Sequence, residues 1–179
     1  MRFSWLMVAL LALPAQAVEW AADLGLATSK VEVNLTDGND GMSSDDGTGY
    51  YVGLGFLRPF AIDSQHHLGM RLQLSDAAGD RLLAARVLDY QYRLDHLPLR
   101  LGVFAGAASL DTGSTTLGYY AGVEGLWQSP VPELSFGISA QYGDKLARDK
   151  LLTSDEQGGQ RPDLFYAVSN VMLFLRWQL

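Results

Sequence analysis

The sequence predicts an all-β fold, an eight-stranded antiparallel up-and-down transmembrane β-barrel. Three observations carry it: two-residue alternation of apolar and polar side chains, an even number of such segments, and links that alternate between short and long. The chain has 179 residues, 48% hydrophobic and 18% charged. After residue 17 it has no apolar run long enough for a membrane helix. Apolar residues spread one in two over strands account for both facts.

Residues 1 to 17, MRFSWLMVALLALPAQA, read as a cleaved secretory signal peptide: Arg2, an apolar stretch from Phe3 to Leu13, then Pro14 and the small-x-small end Ala15-Gln16-Ala17. The apolar run is too short to anchor the chain in a bilayer. The expected organisation is a signal peptide over 1–17 and one barrel domain over 18–179. Cleavage removes Arg2 and takes the net charge from −7 to −8.

The first strand, about Trp20 to Val33, has Trp20, Ala22, Leu24 and Leu26 on its apolar face. The second, over 50–56, alternates Tyr50, Val52, Leu54 and Phe56 with Tyr51, Gly53 and Gly55. Leu68, Met70, Leu72 and Leu74 mark the third, interleaved with Gly69, Arg71, Gln73 and Ser75. The fourth, over 82–94, is the least regular: Leu82, Ala84, Leu88, Tyr90, Tyr92 and Leu94 share their face with Arg86. That arginine lies either at the outer interface, against a lipopolysaccharide phosphate, or inside the barrel through a strand bulge. The fifth, over 99–107, sets Leu99, Leu101, Val103, Ala105 and Ala107 against Arg100, Gly102, Phe104 and Gly106. In the sixth, over 117–127, Leu117, Tyr119, Ala121, Val123 and Trp127 oppose Gly118, Tyr120, Gly122 and Glu124. The seventh places Leu134, Phe136, Ile138, Ala140 and Tyr142 opposite small or polar residues. The last, Val171 to Leu179, is the clearest, with Val171, Leu173, Leu175, Trp177 and Leu179 on one face.

Short links fall near Pro59 to Gln65, His96 to Pro98 and Ser129 to Glu133. The others, Thr36 to Thr48, Asp76 to Asp80, Asp111 to Thr116 and Asp144 to Asp163, fall at the opposite end and include the two longest. Short turns inside and longer loops outside are the habit of outer-membrane barrels. A secreted soluble barrel of the lipocalin kind would also alternate, but it points large apolar side chains inward and charges outward. Here the non-apolar face is rich in Gly, Ser and Gln with isolated charges, which suits a narrow polar interior. Aromatic residues gather near the strand ends as an interfacial girdle: Trp20, Tyr92, Trp127 and Trp177 at the short-turn end, Tyr50, Tyr119 and Phe165 at the loop end.

This pattern of signal peptide, four hairpins and a final strand over Val171 to Leu179 resembles the small eight-stranded outer-membrane barrels of Gram-negative bacteria, the OmpA transmembrane domain and OmpW kinds. The resemblance implies localisation in the cell outer membrane and contact with the barrel-insertion machinery during biogenesis. Such chains usually end on an aromatic residue, whereas this one ends on Leu179 with Trp177 two places before it. OmpW-type barrels also imply a lateral route for apolar compounds.

The interior face is expected to carry a charge network of Asp23, Arg71, Asp89, Arg93, Arg100, Glu124 and Arg176, with Arg81 beside it. An eight-stranded lumen is only wide enough for side chains, so buried charges must pair there. Asp23 and Arg176 lie on the two strands that close the barrel and form a natural pair. Arg93 and Arg100 face each other across one tight turn and need an acid, for which Asp95 or Glu124 would serve.

Other classes fare worse. Twenty acids against 13 bases give no field for nucleic acid, and the absence of cysteine excludes disulfide and thiolate-metal scaffolds. No catalytic residue, metal ligand set or cofactor is expected. His66, His67 and His96 sit at short turns without the His-x-Ser motif of lipid A deacylases, so a lipid A-modifying hydrolase is disfavoured. His66 and His67, adjacent on a strand, point to opposite faces and do not share a metal. The expected role is structural or surface-interacting, with a lumen plugged by charge pairs; a narrow channel for small or apolar solutes is the alternative. The expected partners are outer-membrane lipid and lipopolysaccharide, plus a surface partner reached through loops 36–48 and 144–163, for a chain acting as a monomer. The first loop holds Asp37, Asp40, Asp45 and Asp46 with no base, and the last is expected to be partly helical from Asp144 to Leu152.

Overall fold

The computed structural model describes residues 18–35, 43–60, 65–112, 114–150 and 163–179. The signal-peptide segment 1–17, Asp37 and Asp40, and most of the last loop lie outside the described residues. Ten strands follow in chain order: β1 (Glu19–Leu35), β2 (Ser43–Pro59), β3 (His66–Ala77), β4 (Asp80–Arg93), β5 (Leu99–Leu110), β6 (Ser114–Thr115), β7 (Gly118–Gln128), β8 (Leu134–Asp144), β9 (Ala147–Lys150) and β10 (Asp163–Gln178).

Eight of them form the wall in the order β1-β2-β3-β4-β5-β7-β8-β10, every neighbour antiparallel. β10 then returns to β1 in a ladder running from Ala21↔Gln178 to Leu35↔Leu164, which closes the barrel. Closure gives every wall strand two partners, the condition for placing β-structure in hydrocarbon, where an unpaired backbone group costs several kcal/mol.

The apolar face points outward. Leu24, Leu26, Leu54, Met70, Leu72, Val103, Val123, Ile138 and Leu173 are exposed on the outer surface, while Asp23, Arg71, Gln73, Glu124, Gln141 and Arg176 are buried inside. A water-soluble lipocalin would show the reverse. The interior is narrow enough that two glycines face aromatic rings across neighbouring strands: a Cβ on Gly137 would meet the Phe174 ring at 2.2 Å, and one on Gly122 the Phe104 ring at 2.4 Å.

The irregularity of β4 is a bulge. Between Arg86 and Leu88 the register shifts against β5, and the β3 ladder skips opposite it between Gly69 and Arg71. Val87 and Leu88 therefore both face out, at 60% and 49% exposure, and Arg86 turns in, fully buried. Upstream of the bulge the faces swap relative to the expected alternation, so Leu82 and Ala84 point inward. Of the two placements open for Arg86, the interior one holds.

Three further expectations change. β2 starts at Ser43, inside the expected first loop, because Ser43–Thr48 pair with β1 from Val33 back to Thr28. β10 starts at Asp163, eight residues ahead of the expected Val171. Beyond the apolar belt a strand can be polar on both faces, so alternation of hydropathy does not mark it. The expected helix from Asp144 is replaced by β9, whose backbone pairs with β10 on one side and β6 on the other. The link after β3 is a two-residue turn, Ala78 (φ 55°) and Gly79 (φ 96°), with the Gly79 N–H donating to Asp76 Oδ1 at 2.9 Å. At this loop end, β1, β2 and β10 run 16 to 17 residues while β3 has 12.

Candidate functional site

Three layers fill the barrel between its two ends. The middle layer is charged. Asp23 on β1 receives Arg176 Nε at 2.7 Å and Nη2 at 3.0 Å from β10, Arg71 Nη1 at 2.6 Å from β3, and the Tyr51 hydroxyl at 3.1 Å from β2. Glu124 on β7 receives Arg86 Nη1 at 2.6 Å, Arg176 Nη1 at 2.8 Å and Gln91 Nε2 at 2.9 Å. Asp89 completes the set, accepting from Arg71 Nε at 3.2 Å, with Arg86 at 3.9 Å. Three carboxylates thus face three guanidinium groups, and both central acids are bidentate bridges between strands.

Polar neutral side chains extend this layer. Arg86 Nε donates to Gln73 Oε1 at 3.0 Å, and Gln73 Nε2 to Gln141 Oε1 at 2.9 Å. The Arg86 guanidinium also lies 3.6 Å from the centre of the Phe104 ring, which stabilises a buried cation without a further acid.

Towards the short-turn end a second cluster forms around Glu19. Arg100 Nη1 donates to Glu19 Oε2 at 2.9 Å, and His67 Nε2 stands 3.5 Å from Glu19 Oε1. Gln178 Nε2 approaches the same carboxylate at 3.5 Å. Towards the loop end the interior turns apolar: Val31, Ala77, Leu82, Ala84, Phe104, Ala108, Leu110, Tyr120, Leu146, Ala147 and Val168 form one buried cluster.

Of the seven residues expected in the charge network, six are buried inside: Asp23, Arg71, Asp89, Arg100, Glu124 and Arg176. Arg93 is not; it is exposed at the short-turn rim, opposite Arg100 in the ladder but outside the network. Arg81 is likewise exposed, placed outward by the swapped faces of β4. The acid serving Arg100 is neither Asp95 nor Glu124 but Glu19, while Asp95 accepts a hydrogen bond from Gln65 Nε2. Glu19 was open to sequence reading, since it shares parity with Ala21 and Asp23. Arg86 required knowledge of the bulge.

The aromatic residues take the expected ends. Trp20, Trp127 and Trp177 are about half exposed on the outer surface at the short-turn end, with Tyr92 partly covered; Tyr50 and Tyr119 are exposed at the loop end, with Phe165 partly covered. His66 faces out, its Nδ1 2.8 Å from the Tyr90 hydroxyl, and His67 faces in, so the pair does not converge. Among the described residues, no three His, Asp or Glu side chains are grouped to hold a metal ion.

No protein-family model matches the chain, and no curated protein is similar to it in sequence. Solved structures do share its fold. Neisserial surface protein A is similar with a TM-score of 0.52 at 13% identity, over 92% of this chain and 100% of that one. The outer membrane protein OprG from Pseudomonas aeruginosa is similar with a TM-score of 0.55 at 12% identity, over 92% and 97%. The chain has the fold of small eight-stranded outer-membrane β-barrels.

Proposed function

We propose that the protein resides in the outer membrane as a structural or surface-interacting barrel whose lumen is closed by its own side chains. The observation that carries this is the balance of the middle layer: three acids and three arginines, all buried and mutually bonded, in an interior only as wide as the side chains that fill it. An apolar layer above it and the Glu19–Arg100 pair below it add two further closures in series. The belt of exposed Leu, Val, Ile and Met faces lipid, and the strands beyond it on the loop side face the cell exterior.

Lipopolysaccharide and outer-membrane phospholipid are then the surrounding partners, insertion passes through the barrel-insertion machinery, and the barrel acts as a monomer. A surface partner would meet the loops over 36–48 and 144–163. The reading is non-enzymatic: both described histidine side chains near the wall, His66 and His67, lie at the short-turn end, away from the outer leaflet.

Planar-bilayer recordings test the closed lumen. The refolded protein is expected to give no single-channel steps, and a Glu124→Ala variant, which unbalances the layer, is expected to give brief ones. Well-defined steps from the unaltered protein would replace this reading by that of a narrow channel. Location is tested separately by fractionation, where recovery in the soluble periplasm would overturn it.

A further inference from the structure

We propose that the upper edge of β2, Ser43 to Asp46, is a docking edge that takes up an extended, lysine- or arginine-rich segment of another protein as an added strand. The inference rests on the surface-interacting reading above and supplies its mode and the chemistry of its partner. These four residues pair with β1, in the register Ser43↔Val33, Ser44↔Glu32, Asp45↔Val31 and Asp46↔Lys30. On the other side of β2 the ladder to β3 runs from Pro59↔His67 only as far as Tyr51↔Ser75. Among the described residues, no strand pairs with Ser43–Asp46 on that side, and all four residues are exposed.

The geometry shows why β3 leaves the ladder. The hydroxyl of Ser29, which stands opposite Gly47 on β1, donates to the Asp76 carbonyl at 3.2 Å. Gly79, with φ 96°, then turns the chain into β4, and Ala78 of that turn lies so near β2 that a Cβ on Gly47 would stand 2.6 Å from its Cα. The turn fills the place beside Gly47 and leaves β2 open above it. In an antiparallel sheet alternate residues direct N–H and C=O to opposite neighbours, so this stretch offers backbone groups at the spacing an incoming strand needs. Strand addition of this kind draws affinity from main-chain bonds and specificity from the side chains beside them.

Those side chains select the occupant. Asp45 and Asp46 lie on the edge itself and Glu32 on the strand behind it, where it holds Lys30 at 2.6 Å. Asp76 and Asp80 flank the turn below, with Arg81. Five acids thus surround the open position against two bases. A second copy would bring the same aspartates edge to edge, and like charges directly opposite destabilise a strand pair. Basic side chains at those positions are stabilised instead. The same carboxylates repel lipopolysaccharide phosphate, which leaves a basic polypeptide segment as the fitting partner.

The test uses the refolded protein in zwitterionic micelles and a fluorescent peptide of alternating lysine and threonine. The expected result is saturable binding, read by anisotropy, that weakens about tenfold when alternate peptide nitrogens are methylated, since methylation removes strand-forming donors and keeps the charge. In the protein, exchange at alternate amides of Ser43–Asp46 should be fast without peptide and about tenfold slower with it, while exchange in the β1–β10 ladder stays unchanged. Asp45→Asn combined with Asp46→Asn should weaken binding to a similar degree and leave the heat-modifiable folded form intact. Absence of binding, equal binding of the methylated peptide, or slow exchange at these amides in the free protein would overturn the proposal. So would association of the chain with itself through Ser43–Asp46. Fractionation and bilayer conductance do not depend on this edge, so its failure is distinct from failure of the outer-membrane reading.

Discussion

Arg176 bonds two carboxylates at once, Asp23 through Nε and Nη2 and Glu124 through Nη1, and so ties β10 to both β1 and β7. Removing it would leave two buried acids short of charge, a loss of about 3–5 kcal/mol when one partner of a buried pair is deleted. Arg176→Ala should therefore lower the denaturant midpoint of the refolded barrel sharply, as read by tryptophan fluorescence or gel mobility. Arg93→Ala supplies the contrast. Its side chain is exposed at the rim and outside the network, so the same measurement should move by no more than about 0.5 kcal/mol. Equal losses in the two variants would contradict the assignment of Arg93 to solvent. At this scale most of the interior was legible in the sequence, because Asp23, Arg71, Glu124 and Arg176 obey parity within their own strands. Glu19 obeys it too. Arg93 fails for another reason: parity says which face a residue takes, but at the rim the inward face is already wet.

Among the elements, β4 teaches most. One extra residue at Val87–Leu88 lets Arg86 reach Glu124 at 2.6 Å while both apolar neighbours remain outside. Deleting Val87 should restore simple alternation and force one half of the strand onto the wrong face. The expected cost combines a lost buried pair with an arginine exposed to lipid, the latter about 2–4 kcal/mol at the membrane centre. Failure of the deletion variant to show the heat-modifiable folded form, beside a normal Val87→Ala variant, checks this. Hydropathy alone could not separate a bulge from an interfacial arginine, since both leave Arg86 on the apolar parity. The long ends of β2 and β10 were illegible for a different reason. From Ser43 to Thr48 the strand is polar on both faces, and its pairing with β1 comes from backbone bonds that no side-chain pattern reports.

For the whole molecule, the sequence feature that decided the fold was the spread of apolar residues on alternate positions, and the structure turns that spread into a continuous outer belt. The three tryptophans after residue 17, Trp20, Trp127 and Trp177, all lie at the short-turn end and are about half exposed. In vesicles, their emission should be quenched more by lipids brominated near the carbonyl end of the chain than by lipids brominated near the terminal methyl. Absence of quenching by either lipid would mean that this surface does not contact a bilayer. If the lumen is closed as proposed, a solute crossing the barrel would have to part the ion-pair layer as well as the apolar cluster.

The turn at Ala78–Gly79 has a consequence of its own. Because β3 reverses there after 12 residues while β10, β1 and β2 continue upward for 16 to 17, the described strands end at unequal heights around the mouth. Lys30, Glu32, Asp45 and Asp46 stand on β1 and β2 above the level at which β3 turns into β4. A solute arriving along the β1–β2 side therefore meets three carboxylates and one ammonium before it reaches the level of the Ala78–Gly79 turn, a local field that favours cations.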